Sequence, residues 1–153
     1  MRAGPKADVD PSPLPLRTRK TGAARFGAFC ERYVVTPKGT GARRRLRLRP
    51  WQLDLAGSVL DSDPRPRIAG WMLPRGQGKT TLVAALGLYD LMLGDEGASI
   101  VVAATDERQA GLCSWVQVYQ DRLTVPSRGA SFQVLPAVPK RLEGLDFTLA
   151  ILD

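Results

Sequence analysis

Between Pro74 and Thr81 the chain reads Pro-Arg-Gly-Gln-Gly-Lys-Thr-Thr. Glycines spaced one residue apart let the backbone curl its N–H groups around an anion without Cβ clashes. The segment that follows has helical character, and a helix start adds the positive end of its dipole. This chemistry suits phosphate. Lys79 is expected to reach the β- and γ-phosphates of a nucleoside triphosphate, and Thr80 to offer its hydroxyl to magnesium. A second candidate closes the chain, where Leu149-Ala-Ile-Leu ends on Asp153. An apolar strand ending in Asp puts a carboxylate at the C-terminal edge of a sheet, where it can hold the same magnesium through its waters. The competing reading is a plain glycine turn followed by a surface lysine.

These residues need elements to position them. Ile68 to Leu73 is an apolar run of strand length before the turn, and Thr80 to Leu93 predicts a helix that is apolar nearly all round, with Gly94 as its stop. Ser99 to Ala104 and Thr148 to Leu152 predict buried strands, with a weaker one at Phe132 to Leu135. Thr105 can cap a helix carrying Leu112, Trp115, Val116 and Tyr119, and Lys140 to Gly144 reads as a turn. Upstream, Phe26, Phe29, Cys30 and Tyr33 recur at helical spacing within Ala23 to Val35. Arg43 to Arg49 alternates like an exposed strand, and Pro50 opens a helix with Trp51, Leu55 and Val59 on its buried face. Strand–helix alternation with apolar strands predicts an α/β fold with a mainly parallel sheet.

Composition narrows the classes. The 153 residues contain no His, which excludes Ser-His-Asp triads and His-based metal sites. Cys30 and Cys113, the two cysteines, sit among apolar residues and read as reduced core thiols. No apolar run approaches the ~20 residues a membrane-spanning helix needs, and no signal peptide is visible, so a cytoplasmic protein without a membrane partner is expected. Of the 22 Lys and Arg, 13 fall in residues 1–50 against 3 acidic residues, leaving 9 against 12 for the remainder. A basic front half suits a polyanion such as double-stranded DNA, although a solvated basic arm explains it as well. Residues 1–22, with four prolines and few large apolar residues, read as a disordered arm. Residues 23–63 form a helical segment, and residues 64–153 the core.

The turn departs from the common G-x-x-x-x-G-K-[ST] pattern, because Leu73 stands where the first glycine belongs. In this form Pro74-Arg-Gly-Gln-Gly-Lys-Thr-Thr81 resembles the deviant phosphate loop, or Walker A motif, of phage terminase large subunits. Those are ATP-driven motors of viral genome packaging. Pro50-Trp-Gln52 resembles the family's adenine-recognition element, and Ala103 to Ala110 the segment between its two nucleotide motifs. Leu149 to Asp153 resembles its magnesium-binding Walker B strand. The resemblance covers residues 23–153. It implies a P-loop NTPase-type three-layer sandwich, incomplete at its C-terminus, and ATP with magnesium as cofactors.

By position the resemblance implies nucleotide binding by Gln52, Pro74, Arg75, Gly76, Gln77, Gly78, Lys79, Thr80 and Thr81, with Gln52 reading the adenine edge. Thr80 and Asp153 would hold magnesium. Arg75 would stabilise charge on the γ-phosphate, and Arg141 would be presented to a neighbouring subunit. Implied partners are double-stranded DNA, the small terminase subunit, the portal and other large-subunit copies. The family follows the strand's Asp with a water-activating Glu and later adds a nuclease domain, neither of which is present in this sequence. ATP binding without efficient hydrolysis is therefore expected of a fragment of a longer protein. A helicase-like or other DNA-dependent P-loop ATPase is the alternative, and a non-enzymatic basic DNA-binding module is another.

Overall fold

The computed structural model describes residues 10–36, 44–103, 117–119, 122–135 and 146–152. Two compact units make up the chain. The first is Leu16–Leu86, and the second, built on the residues from Gly87 onward, contains the sheet.

In the first unit, helix α1 spans Gly22–Tyr33 and buries Ala23, Phe26, Phe29 and Cys30, the face its apolar spacing predicts. Its preceding residue, Thr21, makes no side-chain cap. The Asp61 carboxylate accepts the Ala23 N–H instead, at 3.2 and 3.4 Å, and its charge suits a helix N-terminus. Asp61 is also the C-cap of α2, Pro50–Leu60. One residue thus ends one helix and begins the other, which ties α1 to α2.

The buried face of α2 differs from the expected one. Trp51, Leu55 and Val59 are only half-buried, whereas Gln52 and Ala56 are buried. Small residues lie where the two helices meet: a Cβ at Gly27 of α1 would come 3.0 Å from the Cδ2 of Leu53, and one at Gly57 would lie in ordinary contact, 3.7 Å, with the Cβ of Ala23. The strand expected over residues 43–49 is reduced to an antiparallel bridge between Val35 and Arg45. The Leu46 N–H donates to the Val34 carbonyl at 2.9 Å, and the Thr36 N–H to the Arg44 carbonyl at 3.0 Å. Alternation survives without the ladder, with Leu46 and Leu48 half-buried and Arg45, Arg47 and Arg49 exposed. Pro50, which has no N–H to donate, then turns the chain into α2.

The strand expected over Ile68 to Leu73 does not form. Ile68 is 91% exposed and Met72 99%. A strand exists by bonding to a neighbour, and none of the five strands of the sheet pairs with this segment. Its apolar composition was an incomplete signal.

Helix α3, Lys79–Leu93, starts in the first unit and ends in the second. The sheet has the order β2-β3-β4-β1-β5, where β1 is Ser99–Ala103, β2 Gln117–Val118, β3 Arg122–Val125, β4 Ala130–Leu135 and β5 Leu149–Leu152. β1 lies between β4 and β5 and is parallel to both. Ile100 and Val101, adjacent in sequence and on opposite faces, are both buried, as a strand inside a parallel sheet requires. The Thr148 hydroxyl bonds the backbone of Ser99 at 3.1 Å and fixes the register of β5.

The α/β class stands, with an antiparallel border on β4 that was not anticipated. β3 is antiparallel to β4 and β2 to β3. Leu123 and Val125 of β3 are buried while Arg122 is exposed, a four-residue alternation cut off by Pro126 and too short to stand out in sequence. The helix expected from Thr105 lies mostly outside the described residues, but its predicted end is overturned. Gln117–Val118 is strand, and the Tyr119 N–H donates to the Arg122 carbonyl at 2.8 Å. Cys113 and the Lys140 to Gly144 turn also lie outside the described residues. Among the described residues no helix is long and apolar enough to cross a membrane.

Candidate functional site

The turn that precedes α3 has left-handed backbone at two positions, Gly76 with φ 79° and Gly78 with φ 75°. Side-chain-bearing residues rarely adopt that conformation, so glycine at both sites is a conformational requirement. Alternation of left-handed glycines with ordinary residues is the backbone form that gathers successive N–H groups into an anion-binding concavity. The Leu82 N–H donates to the Gly78 carbonyl at 2.9 Å, which makes this turn continuous with the first turn of α3. Pro74, Arg75, Gly76, Gln77, Gly78, Lys79 and Thr80 are all exposed, and Thr81 is half-buried. The first turn of α3 carries no acidic residue, so nothing there opposes an anion at the dipole's positive end.

Gln52 is brought against this turn. It is buried, 8% exposed, and both ends of its amide are engaged. Its Oε1 accepts the Arg49 N–H at 2.9 Å, the reciprocal half of a capping box, and its Nε2 donates to the Gln77 carbonyl at 3.3 Å. These bonds fix the orientation of the amide and leave one lone pair on Oε1 and one hydrogen on Nε2. The Gln77 carbonyl is the partner that sequence reasoning missed. A signal was available in the third helical position of Gln52 after Arg49-Pro50, where a capping-box residue belongs.

The arrangement therefore unites Gln52 with the turn and the first residues of α3. Arg75 is exposed on the turn itself. Arg141 and Asp153 lie outside the described residues, although Asp153 directly follows β5, whose Leu152 pairs with Ala103 of β1. Elsewhere in the first unit, burial pushes the Cys30 thiol up to about 12, helped by the neighbouring Glu31 charge. Such a thiol is a core residue and not a nucleophile.

Neither a protein-family model nor a curated protein matches the sequence. Among solved structures, the crystal structure of the HK97 bacteriophage large terminase is similar, with a TM-score of 0.72 and 28% sequence identity. The likeness covers 88% of this chain and 31% of that one, so the chain spans less than a third of the terminase's length. The likeness extends to sequence as well as fold, so the chain is similar to part of a phage large terminase.

Proposed function

We propose that this chain is the ATP-binding part of a phage DNA-packaging motor of the terminase large-subunit type. The observation that carries the reading is the exposed pair of left-handed glycines, Gly76 and Gly78, set directly before Lys79 and Thr80 on the first turn of α3. A triphosphate fits such a cradle by the chemistry of its donors: backbone N–H groups, a helix N-terminus and a lysine ammonium. Lys79 would hold the terminal phosphates as a point charge, and the Thr80 hydroxyl would hold magnesium together with Asp153. The bound metal supplies charge neutralisation at the phosphates. Arg75 lies on the turn where it could meet charge developing on the γ-phosphate, and Arg141 is assigned the corresponding role towards a neighbouring subunit. Coupling of hydrolysis to translocation of double-stranded DNA belongs to the whole motor. So does assembly with a small subunit, a portal and further copies.

The test is titration with a fluorescent ATP analogue in the presence of magnesium. Saturable binding that is lost in Lys79→Ala is the expected result. Undiminished binding by that variant would remove the phosphate-loop reading. A salt-sensitive affinity for duplex DNA would then leave the basic DNA-binding module as the better account.

A further inference from the structure

We propose that Gln52 is a positioning residue that locks the Gln77–Gly78 peptide of the turn in one orientation, rather than a reader of the base. The inference rests on the phosphate-binding reading of that turn and assigns Gln52 a role within it. Three observations support it. Gln52 is buried on α2, and its Oε1 is fixed by the Arg49 N–H at 2.9 Å, so the amide cannot rotate without breaking a helix cap. Its Nε2 then faces the turn and donates to the Gln77 carbonyl at 3.3 Å. A Cβ added to Gly78 would meet that same nitrogen at 3.6 Å, so the turn lies directly against the amide.

Peptide geometry converts this bond into control of the cradle. In a trans peptide the carbonyl and the N–H of the next residue point in opposite directions. Holding the Gln77 carbonyl towards α2 therefore aims the Gly78 N–H away from α2. The lock is needed because the residue after this peptide is glycine. With φ of 75° at Gly78, and no Cβ to penalise the alternatives, the peptide plane can flip at little steric cost. A flip would replace an N–H in the cradle by a carbonyl oxygen, which repels phosphate. Gln52 opposes the flip by giving the carbonyl a buried donor.

The role predicts an effect that ignores the base. In the full chain, Gln52→Met removes both bonds without adding charge. It should weaken ATP, GTP and inorganic tripolyphosphate by the same factor, roughly five- to tenfold for one lost hydrogen bond, with the ATP-to-GTP ratio unchanged. A loss confined to ATP, with tripolyphosphate affinity intact, would overturn the proposal and restore Gln52 as a base reader.

A second measurement needs no ligand. Gln52→Glu keeps an oxygen for the Arg49 N–H, since Glu is a standard residue at this capping position, but it cannot donate to Gln77. Amide hydrogen exchange over residues 76–80 should rise in this variant, while α1 and the rest of α2 keep parental protection. Unchanged exchange in the turn would overturn the lock. If the parent bound none of the three ligands, the phosphate-binding reading would fail, while the exchange result would still decide whether Gln52 holds the turn.

Discussion

The two ends of α3 use glycine for opposite reasons. At its start, Gly76 and Gly78 are exposed and left-handed, and a Cβ on Gly76 would meet nothing within 4 Å. Space is free there, and backbone conformation is what demands glycine. Further along, Gly87 has ordinary helical backbone, but a Cβ would lie 2.5 Å from a ring carbon of Phe132 and 3.3 Å from the Cδ1 of Ile151. Conformation is free at that position, and space demands glycine. Glycine inside a helix costs about 1 kcal/mol relative to alanine, so its presence needs such a compensating contact. One helix therefore begins on a turn whose glycines answer to backbone conformation and runs on to a glycine that answers to the side chains of β4 and β5. The lesson is that damage at the two ends should appear in different measurements.

The largest effect is expected at the packed end. Phe132 is buried beneath Gly87, and Phe132→Ala should lower unfolding stability by about 3–5 kcal/mol, read by chemical denaturation. A loss below about 1 kcal/mol would mean that the helix end does not depend on this ring.

Next comes Lys79→Ala at the open end. Magnesium–ATP affinity should fall on the order of a hundredfold through loss of a charge-assisted contact, while stability stays within about 0.5 kcal/mol because Lys79 is exposed. Parallel loss of stability and binding would erase the contrast between the two ends. Gly87→Ala gives a smaller effect, because improved helix propensity offsets part of the clash; a net loss of about 1–2 kcal/mol is expected. A stabilised Gly87→Ala chain would show that β4 yields easily and that space was not the constraint. The smallest change is Asp61→Asn, which weakens the charge at the start of α1 and should cost about 0.5–1 kcal/mol, diminishing with added salt. Salt-independence of that cost would assign it to hydrogen bonding alone.

Local chemistry was readable wherever it acts within a few residues. The glycine-rich turn, the lysine and threonine after it, α1 with Phe26, Phe29 and Cys30, and the apolar strands β1 and β5 all follow from residue type and spacing. Backbone conformation at Gly76 and Gly78 is a property of the residues themselves, and helical periodicity is a property of one segment. Pairing is not. Ile68 to Leu73 has strand composition and no partner in the sheet, whereas Arg122–Val125 has an inconspicuous sequence and becomes β3 because β4 lies beside it.

The same division runs through the site. Residue type marked Gln52 as a polar group with donor and acceptor to offer, but only the packed structure decided what receives them. α2 presents Gln52 and Ala56 inward, and this rotation carries the amide to the Gln77 carbonyl. A hydrogen bond between residues so far apart in sequence depends on the rotation and placement of two elements at once. No window of sequence contains that information.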